Sequence, residues 1–121
     1  MPPTIVMTSA PYCYGPTGKL LCLAESLADH FDLVYVGREP GLSLARTGPF
    51  GAVIPLESRD RWETGSRRAL RRSEILISSL DYRALNVAYQ EGVPSVFFDT
   101  LWWLREQAPP FVERSAAYIA E

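Results

Sequence analysis

The chain is poor in the residue types that carry most recognisable chemistry. Of its 121 residues only two are cysteine and one is histidine. Cys13 and Cys22 have neither metal-ligand spacing nor a catalytic partner, and they read as reduced thiols. His30 falls near the expected end of the first helix, where an imidazole serves a helix terminus. It is therefore at the wrong end of that helix for catalysis. No apolar run is long enough to span a membrane. The uncharged stretch from Met1 to Gly18 is broken by Pro2, Pro3, Pro11 and Pro16 and lacks the basic start of a signal peptide. A cytoplasmic protein without a membrane span is the expectation. Charge of one sign is also missing: 12 Lys and Arg stand against 14 Asp and Glu, a net of −2. No global field then directs the chain to nucleic acid or anionic lipid. With 47% hydrophobic residues, the chain suits one domain with one core.

What is present is an order of elements. Apolar, β-branched runs occur at Thr4–Thr8, Leu33–Val36, Ala52–Leu56, Ile75–Ser78, Ser95–Phe98 and, more weakly, Ala117–Ala120. Helical patterns lie between most of them. Leu20, Leu23, Ala24, Leu27, Ala28 and Phe31 recur at spacings of three and four. Further patterns run from about Arg59 to Arg72 and from Tyr82 to Glu91, where Gly92 and Pro94 form a stop. The stretch Arg38–Gly51, "REPGLSLARTGPFG", reads as a loop or as a loop with a short helix at Leu42–Arg46. Strands alternating with helices predict a parallel sheet covered on both faces. The fold class is α/β: a Rossmann-like three-layer domain with a mostly parallel sheet of about six strands. "SAAYIAE" reads as a last strand with no helix after it, so one half of a larger protein is expected.

The segment "YCYGPTGKLL" resembles a phosphate-binding loop at first sight. A P-loop needs Gly, four residues, then Gly-Lys-Ser/Thr. Here Leu20 replaces the hydroxyl residue and Cys13 the first glycine, so that chemistry is excluded. A dinucleotide fingerprint needs G-x-G-x-x-G, and only Gly15 and Gly18 are present. Gly37-Arg38-Glu39 ends the second strand, where an acidic residue suits a ribose and an arginine a 2′-phosphate, but two glycines are too few to support NAD(P). What remains is a strand-to-helix turn capped by Gly15 or Thr17, with Pro16 in the first turn. Its free amides favour an oxygen-rich ligand or anion. Lys19 opposes the helix dipole unless it is solvated or faces such an anion. A tight turn with no ligand is the competing reading.

Two further constellations stand out. In "VFFDTLWWL", Asp99 falls at the carboxyl end of a buried strand, the edge at which open α/β sheets bind ligands. Asp99 and Thr100 should share that edge with Ser78, Ser79 and Asp81. Trp102 and Trp103 follow, and indole faces suit sugars, bases or another protein surface. Equally, Asp99 can cap a helix and the tryptophans can fill a core. "RDRWETGSRRALRR" holds six of the twelve cationic residues. Asp60, Glu63 and Glu74 interrupt or border it, so a solvated helix face is expected and nucleic acid is not.

On these residues the chain resembles the N-terminal half of a GT-B glycosyltransferase. "TIVMTSAPYCYGPTGKLLCLAESLADHFDLVYVG" is similar to the first strand, glycine-bearing loop, helix and second strand of that family. "ILISSLDYRALNVAYQEGVPSVFFDT" is similar to a later strand–helix–strand. The resemblance implies an acceptor-binding domain that works with a C-terminal domain holding the nucleotide sugar. By itself such a half is expected to be inactive, with a small-molecule acceptor as its ligand. No cofactor or metal is expected, and a homo-oligomer is left open. The resemblance makes Asp99 the candidate base and Gly15, Thr17, Gly18, Lys19, Asp81, Thr100, Trp102 and Trp103 the candidate acceptor or anion site. No histidine stands near the first loop, where several such families place a catalytic one. Two alternatives stay open: a non-catalytic Rossmann-like binding module, and a fragment of an NAD(P)-dependent oxidoreductase.

Overall fold

The computed structural model describes residues 2–11, 14–58, 61–99, 101 and 106–120. The elements are β1 (Thr4–Ser9), α1 (Gly15–Leu27), β2 (Asp32–Gly37), α2 (Gly41–Ala45), β3 (Ala52–Pro55), α3 (Thr64–Arg71), β4 (Ile75–Ser79), α4 (Arg83–Gln90), β5 (Ser95–Asp99) and β6 (Ala117–Ala120). Among the described residues six strands form one sheet in the order β3-β2-β1-β4-β5-β6. Every pairing is parallel. The fold is Rossmann-like, with the strand order reversing between β1 and β4.

Side chains alternate across the sheet, so each strand feeds two cores. Ile5 and Met7 of β1 pack with Leu20, Ala24, Leu42 and Ala45 of α1 and α2. Val6, between them, packs with Trp62, Leu70, Ala84, Val87 and Ala88 on the α3 and α4 side. This two-sided burial explains why "TIVMTS" and "ILISS" read as near-continuous apolar runs rather than alternating ones.

Three local readings are corrected. The segment Gly15–Lys19 is the first turn of α1, not a loop, because Gly18 N–H already donates to the Tyr14 carbonyl at 2.8 Å. Neither Gly15 nor Thr17 caps that helix: the N-cap is Tyr14, whose side chain makes no capping bond. The third helix starts at Thr64 rather than near Arg59, since Glu63 is extended (φ −89°, ψ 176°). Trp62 is only 3% exposed, and burying the indole in the core decides the backbone there more than helix propensity does. The loop-like stretch after β2 contains α2 as a single short helix.

The end of α4 follows its sequence. Gly92 takes φ 72°, a region open to glycine at little cost. Its N–H bonds to the Tyr89 carbonyl at 3.2 Å, and Val93 N–H to that of Ala88 at 2.9 Å. These are the paired bonds of a Schellman stop. The basic stretch is more than a solvated face: Arg67 and Arg71 both bind Glu91, at 3.0 and 2.9 Å, and so tie α3 to α4. Those two hydrogen bonds hold the Glu91 carboxyl below its ordinary value. At the far edge, β6 is exposed along its length, and Tyr118 stacks on Phe97 with ring centroids 5.9 Å apart.

Candidate functional site

The reversal of strand order leaves a crevice at the carboxyl ends of β1 and β4, where the flanking connections run in opposite directions. Its floor is made of hydroxyls. Register places Ser9 beside Ser79 on the same face, toward α1. Ser9 Oγ lies 2.7 Å from Thr17 Oγ1 and 2.7 Å from the Tyr35 hydroxyl. This buried chain staples the first turn of α1 to β1 and β2. Ser79 Oγ beside it is buried without a hydrogen-bond partner, a state that ordinarily costs about 1–3 kcal/mol. The amides of Gly15 and Thr17 precede the first intrahelical bond, and Pro16 has none.

Across the crevice, Ser78 Oγ donates to the Asp81 carbonyl at 2.6 Å. The turn between them passes through Leu80 at φ 66°, a conformation that a branched side chain adopts only when its surroundings enforce it. Burial of its side chain (4% exposed) and the 3.0 Å bond from Leu80 N–H to the Phe98 carbonyl supply that enforcement. Asp81 is buried and accepts from Arg83 N–H at 3.2 Å, at the start of α4.

Asp99 sits at the end of β5, fully buried. Its Oδ1 accepts from Leu101 N–H at 3.0 Å and its Oδ2 from the Tyr118 hydroxyl at 2.5 Å. Both oxygens therefore anchor the strand-end turn and β6, a structural use beside the basic role that the resemblance implies. Gly18 is half-buried and Lys19 exposed on α1, and nothing lies within 4 Å of a Cβ built on Gly18. Thr100, Trp102 and Trp103 lie outside the described residues, as does Cys13. Cys22 is an exposed free thiol on α1, and His30 lies in the turn after it. Among the described residues, no group of His, Cys, Asp and Glu is arranged to hold a metal ion. No helix among them is long and apolar enough to cross a membrane.

The structure thus brings Thr17, Asp81 and Asp99 to one edge and adds Ser9, Tyr35, Leu80 and Tyr118, which the sequence reading missed. Tyr35 carried a signal: a phenol within the buried run "DLVYVG" must find a partner. Burial pushes the Tyr35 phenol above its ordinary value, and its hydrogen bonds to Ser9 and Thr17 oppose this less strongly. The folded state therefore holds this proton after the unfolded chain has released it. That contribution is complete below about pH 10 and is lost as the pH rises toward the folded value. Urea midpoints measured between about pH 9 and 11 should fall more steeply for the native chain than for Tyr35→Phe. Parallel declines would show that this phenol does not govern alkaline stability.

No family model and no curated protein matches the chain. Among solved structures, the chain is similar to a shikimate dehydrogenase of Mycobacterium tuberculosis, with a TM-score of 0.57 and 13% identity. The match covers 97% of this chain and 45% of that one, so this chain spans less than half that protein's length. At such low identity the likeness concerns the fold.

Proposed function

We propose that the chain is the nucleotide-binding module of an oxidoreductase, with a nicotinamide dinucleotide as its ligand. The carrying observation is the parallel 3-2-1-4-5-6 order with a hydroxyl-floored crevice at its reversal. Likeness in fold to a dehydrogenase chain supports the same class. The residues fit the group in two places. The first turn of α1 offers the amides of Gly15 and Thr17 to a diphosphate. Glu39 and Arg38, both exposed just after β2, suit a ribose or its 2′-phosphate. Glu39 is already engaged with Ser43 Oγ of α2 at 2.6 Å and with Arg46, just after that helix, at 3.7 Å. The glycine pattern departs from the dinucleotide fingerprint: Gly15 and Gly18 fill its second and third positions, and Cys13 stands where the first glycine belongs. A nicotinamide ring, when bound, supplies hydride chemistry. The role assigned to this chain's residues is to hold and orient it.

A second reading is the acceptor half of a GT-B glycosyltransferase. Its support is the position of Asp99 at the carboxyl end of β5, where both carboxylate oxygens are engaged by Leu101 and Tyr118. Calorimetric titration of the chain with NADH, NADPH, UDP and UDP-glucose separates the two. The first reading expects a nicotinamide nucleotide to bind with micromolar affinity. Gly15→Asp should weaken that binding about tenfold or more, near 1.4 kcal/mol, by placing an anion where the diphosphate belongs. An acidic residue suits a helix start, so the fold should persist. Uridine nucleotides binding while nicotinamide nucleotides do not would overturn the oxidoreductase reading.

A further inference from the structure

A groove along α4 is lined by side chains that have no part in the function above. Its volume is about 470 Å³, and its walls include Arg67, Tyr82, Arg83, Asn86, Gln90 and Phe111. Asn86 and Gln90 stand one helical turn apart, so their carboxamides lie on one side of α4. Each amide is held by an arginine. Arg114 donates to Asn86 Oδ1, and both terminal nitrogens of Arg67 lie 3.4 Å from Gln90 Oε1. A guanidinium has donors only. Each amide oxygen is therefore committed to its arginine, and each NH2 group must turn elsewhere. What the two carboxamides have left to offer a ligand is chiefly N–H.

The rest of the groove agrees. Among the described residues its walls hold two arginines and no carboxylate. The nearby Glu91 is engaged by Arg67 and Arg71. Two aromatic rings, Tyr82 and Phe111, supply apolar surface. Phe111 adopts φ 68°, a costly conformation for a residue with a large side chain. Its ring centroid lies 5.5 Å from the Arg114 guanidinium, which also sits 4.7 Å from the Tyr89 centroid. The strained residue thus helps to clamp the arginine that fixes the Asn86 amide.

We infer that this groove binds a small organic oxyanion, a carboxylate or phosphate carried on a planar apolar body. The amide N–H groups take the oxyanion beside the positive charge of Arg67 and Arg83, and Tyr82 and Phe111 take the ring. The inference is independent of what binds at the crevice. The test is an NMR titration of the ¹⁵N-labelled chain with phenyl phosphate, benzoate, inorganic phosphate and benzyl alcohol. Phenyl phosphate and benzoate should shift the side-chain NH2 signals of Asn86 and Gln90. Inorganic phosphate should bind at least several-fold more weakly, and benzyl alcohol should leave these signals unmoved. Asn86→Asp and Gln90→Glu each exchange an NH2 group for a carboxylate oxygen while improving the pairing with Arg114 or Arg67. Folding should survive, and affinity for phenyl phosphate should fall tenfold or more. Equal binding of benzyl alcohol, unchanged affinity in both variants, or anion-induced shifts confined to Gly15 and Thr17 would each overturn the proposal.

Discussion

Phe97→Ala is expected to remove about 3–5 kcal/mol of folding free energy, the usual cost of emptying a buried aromatic site. Phe97 is completely buried in β5. It stacks on Tyr118, whose hydroxyl reaches Asp99. Among the described residues, β6 is an exposed edge strand whose sheet pairing is to β5 alone. Deleting the ring therefore does two things: it leaves a cavity under β5, and it takes away the surface on which Tyr118 rests. With domain stabilities of about 5–15 kcal/mol, the variant should be marginally folded. Urea denaturation should show a much lower midpoint, and hydrogen exchange should quicken first at residues 117–120. A loss under about 1 kcal/mol would mean that β5 and β6 close over the cavity.

Gly41→Ala should cost about 1–3 kcal/mol, although alanine is the better helix former by about 1 kcal/mol. A Cβ on Gly41 would collide with the Tyr35 hydroxyl and lie 2.7 Å from Thr17 Oγ1. Both atoms belong to the buried chain through Ser9. The collision cannot be relieved by a rotamer change without breaking those bonds. Tyr35→Phe alone should cost about 1 kcal/mol, because Ser9 and Thr17 still satisfy one another. The double variant Gly41→Ala, Tyr35→Phe should recover part of the loss, with a coupling of about 0.5–3 kcal/mol. Strictly additive losses would show that the glycine is not there to admit the hydroxyl. The result bears on the crevice, because the same three hydroxyls fix the first turn of α1.

Much of this fold was legible in the chain itself. Each run of β-branched and aliphatic residues became a strand within a residue or two of its expected limits. The reason is that a strand buried on both faces has little room for polar residues. Gly92 marked a helix end because a positive φ is a local requirement that glycine meets. The helix after β3 was misplaced because its start depends on Trp62, and nothing near Trp62 in sequence says that the indole enters the core. Of the candidate site residues, Asp81 and Asp99 could be placed at this edge from the sequence because strand ends in a parallel sheet converge there. Ser9, Tyr35 and Tyr118 were missed, since a hydroxyl in a strand carries no mark of its partner.

The sequence alone determined the α/β class, the strand and helix order and the exclusion of P-loop chemistry, because each rests on local pattern or on residue type at a fixed spacing. Only the tertiary structure decided which hydroxyls meet beneath α1. It also decided that Asp99 is bound by Tyr118, and which way the Asn86 and Gln90 amides face. These are contacts between residues distant in the chain, and their geometry follows from strand register and helix packing rather than from any neighbouring letter.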